Sequence, residues 1–242
     1  MRERLTPEFS HTKKTQPMQR RPEPELMDDA VQARAYAEAD FEQPHSQVIV
    51  QFQRCFAGQP INGCVLDLGC GPCDITRRFA LAYPDCTLHA VDGAAQMLKL
   101  GADMLDHTGL AARITLVQAR LPDEALPRSG YDAVISNSLL HHLADPQVLW
   151  HSITRYARPG APVFIMDLSR PDNTAAARAL MEQYAAGEPE ILRQDFYNSL
   201  CAAYRTEEIA TQLKTAGLGH LTIETISDRH FIVYGFMTGP QG

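Results

Sequence analysis

Between residues 64 and 168 the chain alternates short apolar runs with stretches of helical period, and that alternation admits few folds. CVLDL (64–68), CTLHAVD (86–92), ARITLVQA (112–119), YDAVISN (131–137) and APVFIMDL (161–168) have the length and composition of buried strands. DITRRFALA (74–82), AAQMLKLGADMLDHTG (94–109) and PQVLWHSITRYARPG (146–160) fit helices between them. Strands that alternate with such helices form a parallel sheet covered on both faces. The end of the chain breaks the rhythm. TEEIATQLKTAG (206–217) predicts an amphipathic helix that Thr206 can cap, with Ile209, Leu213 and Ala216 along one face. Two strands follow, at about 219–226 and 230–237, joined only by Ser227-Asp228-Arg229. A link that short holds no crossover helix, so the pair is antiparallel.

Around this core lie three further sections. Residues 1–26 carry four prolines before position 25, scattered charge and little periodicity, which predicts a flexible tail. Residues 27–60 hold two helix-like stretches separated at Pro44 and are expected to form a lid; the core is taken as 61–168. Residues 169–205 form a polar, helical insertion ahead of the closing unit, 206–242.

The chemistry is expected where strand 64–68 hands over to its helix, in Asp67-Leu68-Gly69-Cys70-Gly71-Pro72-Cys73-Asp74. Glycines at 69 and 71 permit a tight turn and let a ligand approach the backbone with no Cβ in the way. Asp92 closes the next strand 21 residues beyond Gly71, where a carboxylate can take both hydroxyls of a ribose. A dinucleotide is the rival ligand for this geometry. Its fingerprint asks for a small residue where this chain has Asp74, a carboxylate that would repel a pyrophosphate while satisfying helix N–H groups. A cationic nucleoside without phosphate fits better, and Asp67 suits a bound ammonium or sulfonium.

DLGCGP, VDGAAQML, YDAVISNSLLHHLADP and RPGAPVFIMDL, in that order, resemble the motifs of the class I S-adenosylmethionine-dependent methyltransferases over roughly residues 62–168. The resemblance implies a Rossmann-like, seven-stranded, mostly parallel sheet of order 3-2-1-4-5-7-6 with strand 7 antiparallel, S-adenosyl-L-methionine as cofactor, and direct displacement of its methyl group. It implies that Gly69 and Gly71, with Asp67 and Cys70, pass under the methionine part. Asp92 and Gly93 would then lie at the ribose and Met97 near the adenine. After the third strand the family often offers an acid to the adenine; this chain has Ala119-Arg120-Leu121, and Arg120 cannot accept a bond from the adenine amino group. Asn137 and Ser138 would line the mouth shared by cofactor and acceptor. His142, more than His141, is a candidate to face the methyl group, beside the alternative of a structural histidine.

The acceptor chamber is expected from Tyr36, Phe41 and His45 of the lid, from Arg193, Asp195, Phe196, Tyr197 and Asn198 in the RQDFYNS segment, and from His230. Tyr197 and Asn198 are also candidate catalytic groups. Helical caps favour a small-molecule acceptor, with the attacked atom left open. A net charge of −7, four lysines and no basic run beyond two residues argue against nucleic acid as partner. Cys70-Gly71-Pro72-Cys73 also suits dithiol exchange, but both cysteines belong to the turn that the cofactor requires; no second pair completes a zinc site, and no metal is expected. A cofactor-binding regulator remains the non-enzymatic alternative. The absence of a secretion-type or membrane-spanning segment predicts a cytoplasmic protein, and no pattern reveals the oligomeric state.

Overall fold

The computed structural model describes residues 18–23, 26–122 and 124–239. Seven strands make one sheet: β1 (Gly63–Leu68), β2 (Cys86–Asp92), β3 (Ile114–Gln118), β4 (Ala133–Asn137), β5 (Pro162–Leu168), β6 (Thr222–Thr225) and β7 (His230–Phe236). Their order is β3-β2-β1-β4-β5-β7-β6, as the resemblance implies. The first five strands run parallel, and β7 is antiparallel to both β5 and β6.

Alternation along each strand divides the core between the two faces. Leu66, Leu68, Val134, Val163, Ile165 and Phe231 pack beneath α5 (Gln147–Tyr156) and α8 (Thr206–Thr215), where Leu149, Trp150, Ile153, Ile209 and Leu213 are buried. Val65, Leu88, Ala90, Ala133, Ile135, Phe164 and Ile232 face α2 (Glu42–Cys55), α3 (Asp74–Ala82) and α4 (Ala95–Asp106). There Phe52 of α2 meets Phe79, Tyr83 and Phe164 edge-on at 4.9–5.6 Å. β5 is buried at every position, as a strand covered on both faces must be.

Helix α8 starts differently from the expectation. Arg205, not Thr206, is its N-cap, and Glu208 reaches back to accept from the Arg205 N–H at 2.9 Å. The insertion folds into α6 (Thr174–Ala185), capped by Asn173 through the Ala176 N–H, and α7 (Glu190–Ala202). Pro44 interrupts nothing: it sits in the first turn of α2, where its missing N–H costs no bond. Ahead of α2 lies α1 (Ala30–Glu38), capped by Asp29.

The expected tail needs a correction at residues 18–23. Met18 is buried against Leu168 and Ala177. Arg20 donates to the carbonyls of Ala202, His141 and Leu143 at 2.6–3.0 Å and lies over the Tyr204 ring. Glu23 accepts from Ser199 at 3.1 Å. A chain so tied is not free to move; the rest of the expected tail, apart from Leu26, lies outside the described residues.

Candidate active site

The strand order reverses between β1 and β4, and a crevice opens there at the carboxyl ends of the strands. A cavity of about 450 Å³ fills it, within the range of small-molecule sites. Asp67, Gly69, Cys70, Gly71, Asp92, Gly93, Met97, Ala119, Arg120, Asn137 and Ser138 all line it, so every residue expected at the cofactor is brought to one wall.

The turn after β1 owes its shape to its small residues. Gly69, Gly71 and Cys73 all have positive φ. At Gly69 a Cβ would stand 2.8 Å from Leu139, so only glycine packs there. At Gly71 a Cβ would meet nothing within 4 Å, which leaves the backbone bare towards the cavity. Asp92 fixes this turn: one carboxylate oxygen accepts from Gly71 N–H and the other from Ala94 N–H, both at 2.8 Å. Each oxygen keeps a lone pair for a ribose hydroxyl. Burial raises the Asp92 pKa against the pull of those backbone bonds. Burial also pushes Asp67 up to about 7, despite the 2.6 Å bond from Thr76 Oγ. A buried acid facing the bare glycine turn suits the ammonium or sulfonium of a charged ligand.

Asp74 is employed otherwise than expected. The α3 N-cap is Cys73, without a side-chain cap, and Asp74 binds His45 at 2.8 Å, Arg78 at 2.7 Å and Arg77 at 2.9 Å. Burial would raise its pKa, but these three partners hold it well below the usual carboxylate range. Arg78 also reaches Glu42 at 2.6 Å and Ser46 at 2.8 Å, clamping α2 onto the start of α3. A carboxylate neutralised in this way does not by itself bar a pyrophosphate.

The cysteines of the turn are buried, with their sulfurs 3.8 Å apart. Burial, with the neighbouring thiol and acids, raises Cys70 far above its ordinary value, the reverse of what a reactive thiolate needs.

On the opposite wall the expectations divide. Tyr36, Phe41, His45, His142 and His230 line the cavity, with Phe41 stacked on His45 at 5.0 Å and tilted against Tyr36 at 4.8 Å. Burial, then the nearby acids, push Tyr36 up to about 12, so it stays a hydroxyl donor. Burial, with Arg229, pushes His230 down to about 4, and its ring is neutral at neutral pH. Arg193, Tyr197 and Asn198 do not line the cavity, which corrects their expected roles. Arg193 pairs with Glu182, Tyr197 packs beside Met18, Leu168 and Ala177 beneath Arg178, and Asn198 bonds Gln194. At 3.6 residues per turn α7 presents Leu192, Asp195, Phe196 and Ser199 to the cavity, so the expected Asp195 and Phe196 lie on that stripe while Arg193, Tyr197 and Asn198 fall off it.

His141, expected to matter less than His142, is the better anchored. Its Nδ1 lies 2.6 Å from Asp167 Oδ1, and Asp167 also accepts from the Leu140 and Leu168 N–H groups. Burial alone would lower the His141 pKa; Asp167, followed by Glu23, raises it. Its Nε2 points to Glu23 at 3.5 Å, and His142 Nδ1 lies 3.3 Å from the same oxygen. Glu23, in the segment expected to be a tail, was beyond sequence reasoning, as were Arg229 and Glu188 at the cavity rim. None belongs to a motif or to a periodic stretch.

Comparison with known proteins decides the ligand. The family model described as a methyltransferase domain matches residues 66–163, the span that carries the turn, Asp92 and strands β2 to β4. Over these residues the chain carries a methyltransferase domain of the class I S-adenosylmethionine-dependent kind. This methyltransferase is 27% identical over 175 residues to the ubiquinone/menaquinone biosynthesis C-methyltransferase of Pseudomonas savastanoi, covering 72% of this chain and 68% of the relative. Its fold is similar to that of a SAM-dependent methyltransferase from Aquifex aeolicus (TM-score 0.61, 16% identity, 87% and 99% of the two chains). It is also similar to phosphoethanolamine N-methyltransferase 2 of Haemonchus contortus, solved with phosphomonomethylethanolamine and S-adenosylhomocysteine (TM-score 0.61, 15% identity, 80% and 53%). The methyltransferase is thus an enzyme whose cofactor is S-adenosylmethionine. The bare Gly71 backbone, the lone pairs of Asp92 and the buried Asp67 fit that group. Among the described residues no helix is long and apolar enough to cross a membrane.

Proposed function

We propose that this enzyme methylates a small molecule held in the same cavity as its cofactor. The observation that carries this reading is the cover over the crevice. Residues 26–45 and α7 close the space above the β1–β4 switch point, with Tyr36, Phe41, His45, Asp195 and Phe196 facing inward. A chamber walled by helices admits a metabolite more readily than a duplex or a folded protein surface. In this reading residues 27–60 and 169–205 are the cover and 61–168 is the cofactor core.

S-adenosylmethionine supplies a methyl group on a sulfonium. Gly69, Cys70 and Gly71 would hold its methionine part with Asp67, and Asp92 and Gly93 its ribose. Met97, Ala119 and the backbone at Arg120 would form the adenine wall. Asn137 and Ser138 lie on the route to the acceptor. Displacement requires the acceptor atom to be aligned and water to be excluded, which is work for a closed cavity. A basic side chain is needed only where the acceptor must shed a proton. His230, neutral at neutral pH, and the His142–Glu23 pair are the groups on the acceptor side able to take one. The attacked atom is not assigned, since the similar proteins named above range from C- to N-methyltransferases.

The test is to incubate the enzyme with methyl-labelled donor and a cell extract fractionated by size. Label in the small-molecule fraction with matching release of S-adenosylhomocysteine supports the reading. Label confined to protein or nucleic acid overturns it.

A further inference from the structure

Glu23, His141 and His142 bring three metal-ligating atoms together at the acceptor side of the cavity, all within 4.8 Å of one another. We propose that they form a binding site for a divalent transition-metal ion of the zinc type. Its predicted role, completing a coordination sphere with an oxygen or sulfur of the acceptor, rests on the small-molecule reading above; the binding itself does not.

The geometry supports this in three ways. Glu23 Oε1 lies 3.5 Å from His141 Nε2 and 3.3 Å from His142 Nδ1. Both contacts exceed the usual span of a hydrogen bond, roughly 2.7–3.2 Å. They match the edge of a tetrahedron with arms of about 2.0–2.2 Å, which is about 3.3–3.6 Å long. The third edge, no longer than 4.8 Å, is the one a bound ion would draw in.

His141 is also prepared as a ligand. The buried Asp167 holds its Nδ1 at 2.6 Å and is itself fixed by two backbone N–H groups, so Nε2 is the nitrogen aimed at Glu23. A carboxylate behind a histidine is the usual support of a metal-bound imidazole, setting its tautomer and direction.

The surroundings favour a cation as well. Glu23 and Asp167 place two carboxyl groups around the pair of imidazoles, and the nearest guanidinium, Arg20, donates to three backbone carbonyls instead. Ser199 Oγ donates to Glu23 Oε1 at 3.1 Å and steadies that carboxylate. Two histidines and one glutamate leave a fourth position, and since both histidines line the cavity that position opens into it.

The experiment uses the full chain, treated with a chelator and desalted. Zn²⁺ uptake is followed by calorimetry and Co²⁺ uptake by the visible absorption of a tetrahedral site, both without donor or acceptor. One ion per chain is expected. Affinity should fall at least about 100-fold in Glu23→Gln and in His142→Gln, and about 10–100-fold in Asp167→Asn, where only the support of His141 is weakened. Circular dichroism and S-adenosylhomocysteine affinity identify any variant that has lost its fold; Glu23 and His142, less buried than Asp167, are the positions best placed to keep it. No uptake by the wild-type chain, or uptake that Glu23→Gln and His142→Gln leave unchanged, overturns the site. Donor binding without metal binding would sink this inference and spare the methyltransferase reading. Metal binding with label only in macromolecules would sink the acceptor reading and spare the site.

Discussion

At the scale of single residues the two glycines of the turn have different tasks. Both sit at positive φ, where a side chain costs about 1–2 kcal/mol. Gly69→Ala also drives a Cβ into Leu139, so it should lower thermal stability well beyond that cost. Gly71→Ala meets no atom and should cost stability only the backbone strain, yet weaken S-adenosylhomocysteine binding in calorimetry by tenfold or more, because the new methyl occupies the approach to the backbone. Equal effects of the two changes would contradict this division. Asp67 gives a pH prediction. Its folded pKa, about 7, is raised above the ordinary 3.8, so the folded chain binds a proton that the unfolded chain has released between those values. Its contribution to stability is therefore full below 3.8, declines as pH rises to about 7, and is flat beyond. A cationic donor prefers the ionised carboxyl. S-adenosylmethionine affinity should accordingly rise several-fold between about pH 6 and pH 8 and level off, and Asp67→Asn should remove that rise. The placement of these residues at the cavity was legible in the sequence because a glycine between a strand and a helix, and an acid at a strand end, belong at the carboxyl edge of the sheet. Glu23 was not legible: its neighbours are polar and aperiodic, and only tertiary packing brings it to His141.

At the scale of elements the sequence reveals periods better than phases. The helix at 74–82 and the strand at 86–92 stand where the sequence predicts them, since both have a single buried face or an unbroken apolar run. α7 does not advertise its orientation, because Leu192, Asp195, Phe196 and Ser199 face the cavity while Leu200 and Cys201 are buried elsewhere. A dense polar and aromatic segment therefore pointed to the right helix and to five of its residues, of which Asp195 and Phe196 face the cavity and Arg193, Tyr197 and Asn198 do not. The corrected phase predicts that Phe196→Ala raises the acceptor KM several-fold with S-adenosylhomocysteine affinity unchanged, while Asn198→Ala changes neither. A KM effect at Asn198 and none at Phe196 would restore the original assignment. Tyr197→Ala should act through stability, since its ring packs beside Met18 and Leu168, and a thermal scan separates that loss from any loss in acceptor binding.

At the scale of the whole molecule the sheet and its cover differ in how they are held. Every position of β5 is buried, so the sheet should open only with global unfolding. α1 has nine residues and buries only Ala33, and a helix that short is not stable alone. It rests on the small cluster of Ala33, Ala94 and Met97, and Met97 belongs to the proposed adenine wall. A parallel sheet with an antiparallel closing pair is legible in the sequence from the alternation and the short final link, and its strand order only through the resemblance of the motifs; the seating of the cover is not legible, because it depends on a few contacts among residues far apart in the chain. Those same contacts couple the cover to the ligand. A nucleoside packed against Met97 would stabilise the surface on which α1 sits, so binding should reduce the local opening of α1 while leaving β5 at its global limit. In hydrogen exchange, the amides of 30–38 should exchange fast in the free enzyme and slow by tenfold or more at saturating S-adenosylhomocysteine, with 162–168 protected in both states. Equal slowing of both segments would mean that the ligand merely stabilises the whole fold. No change at 30–38 would mean that α1 does not report on the adenine wall, and the cover would then have to be assigned to α2 and α7 alone.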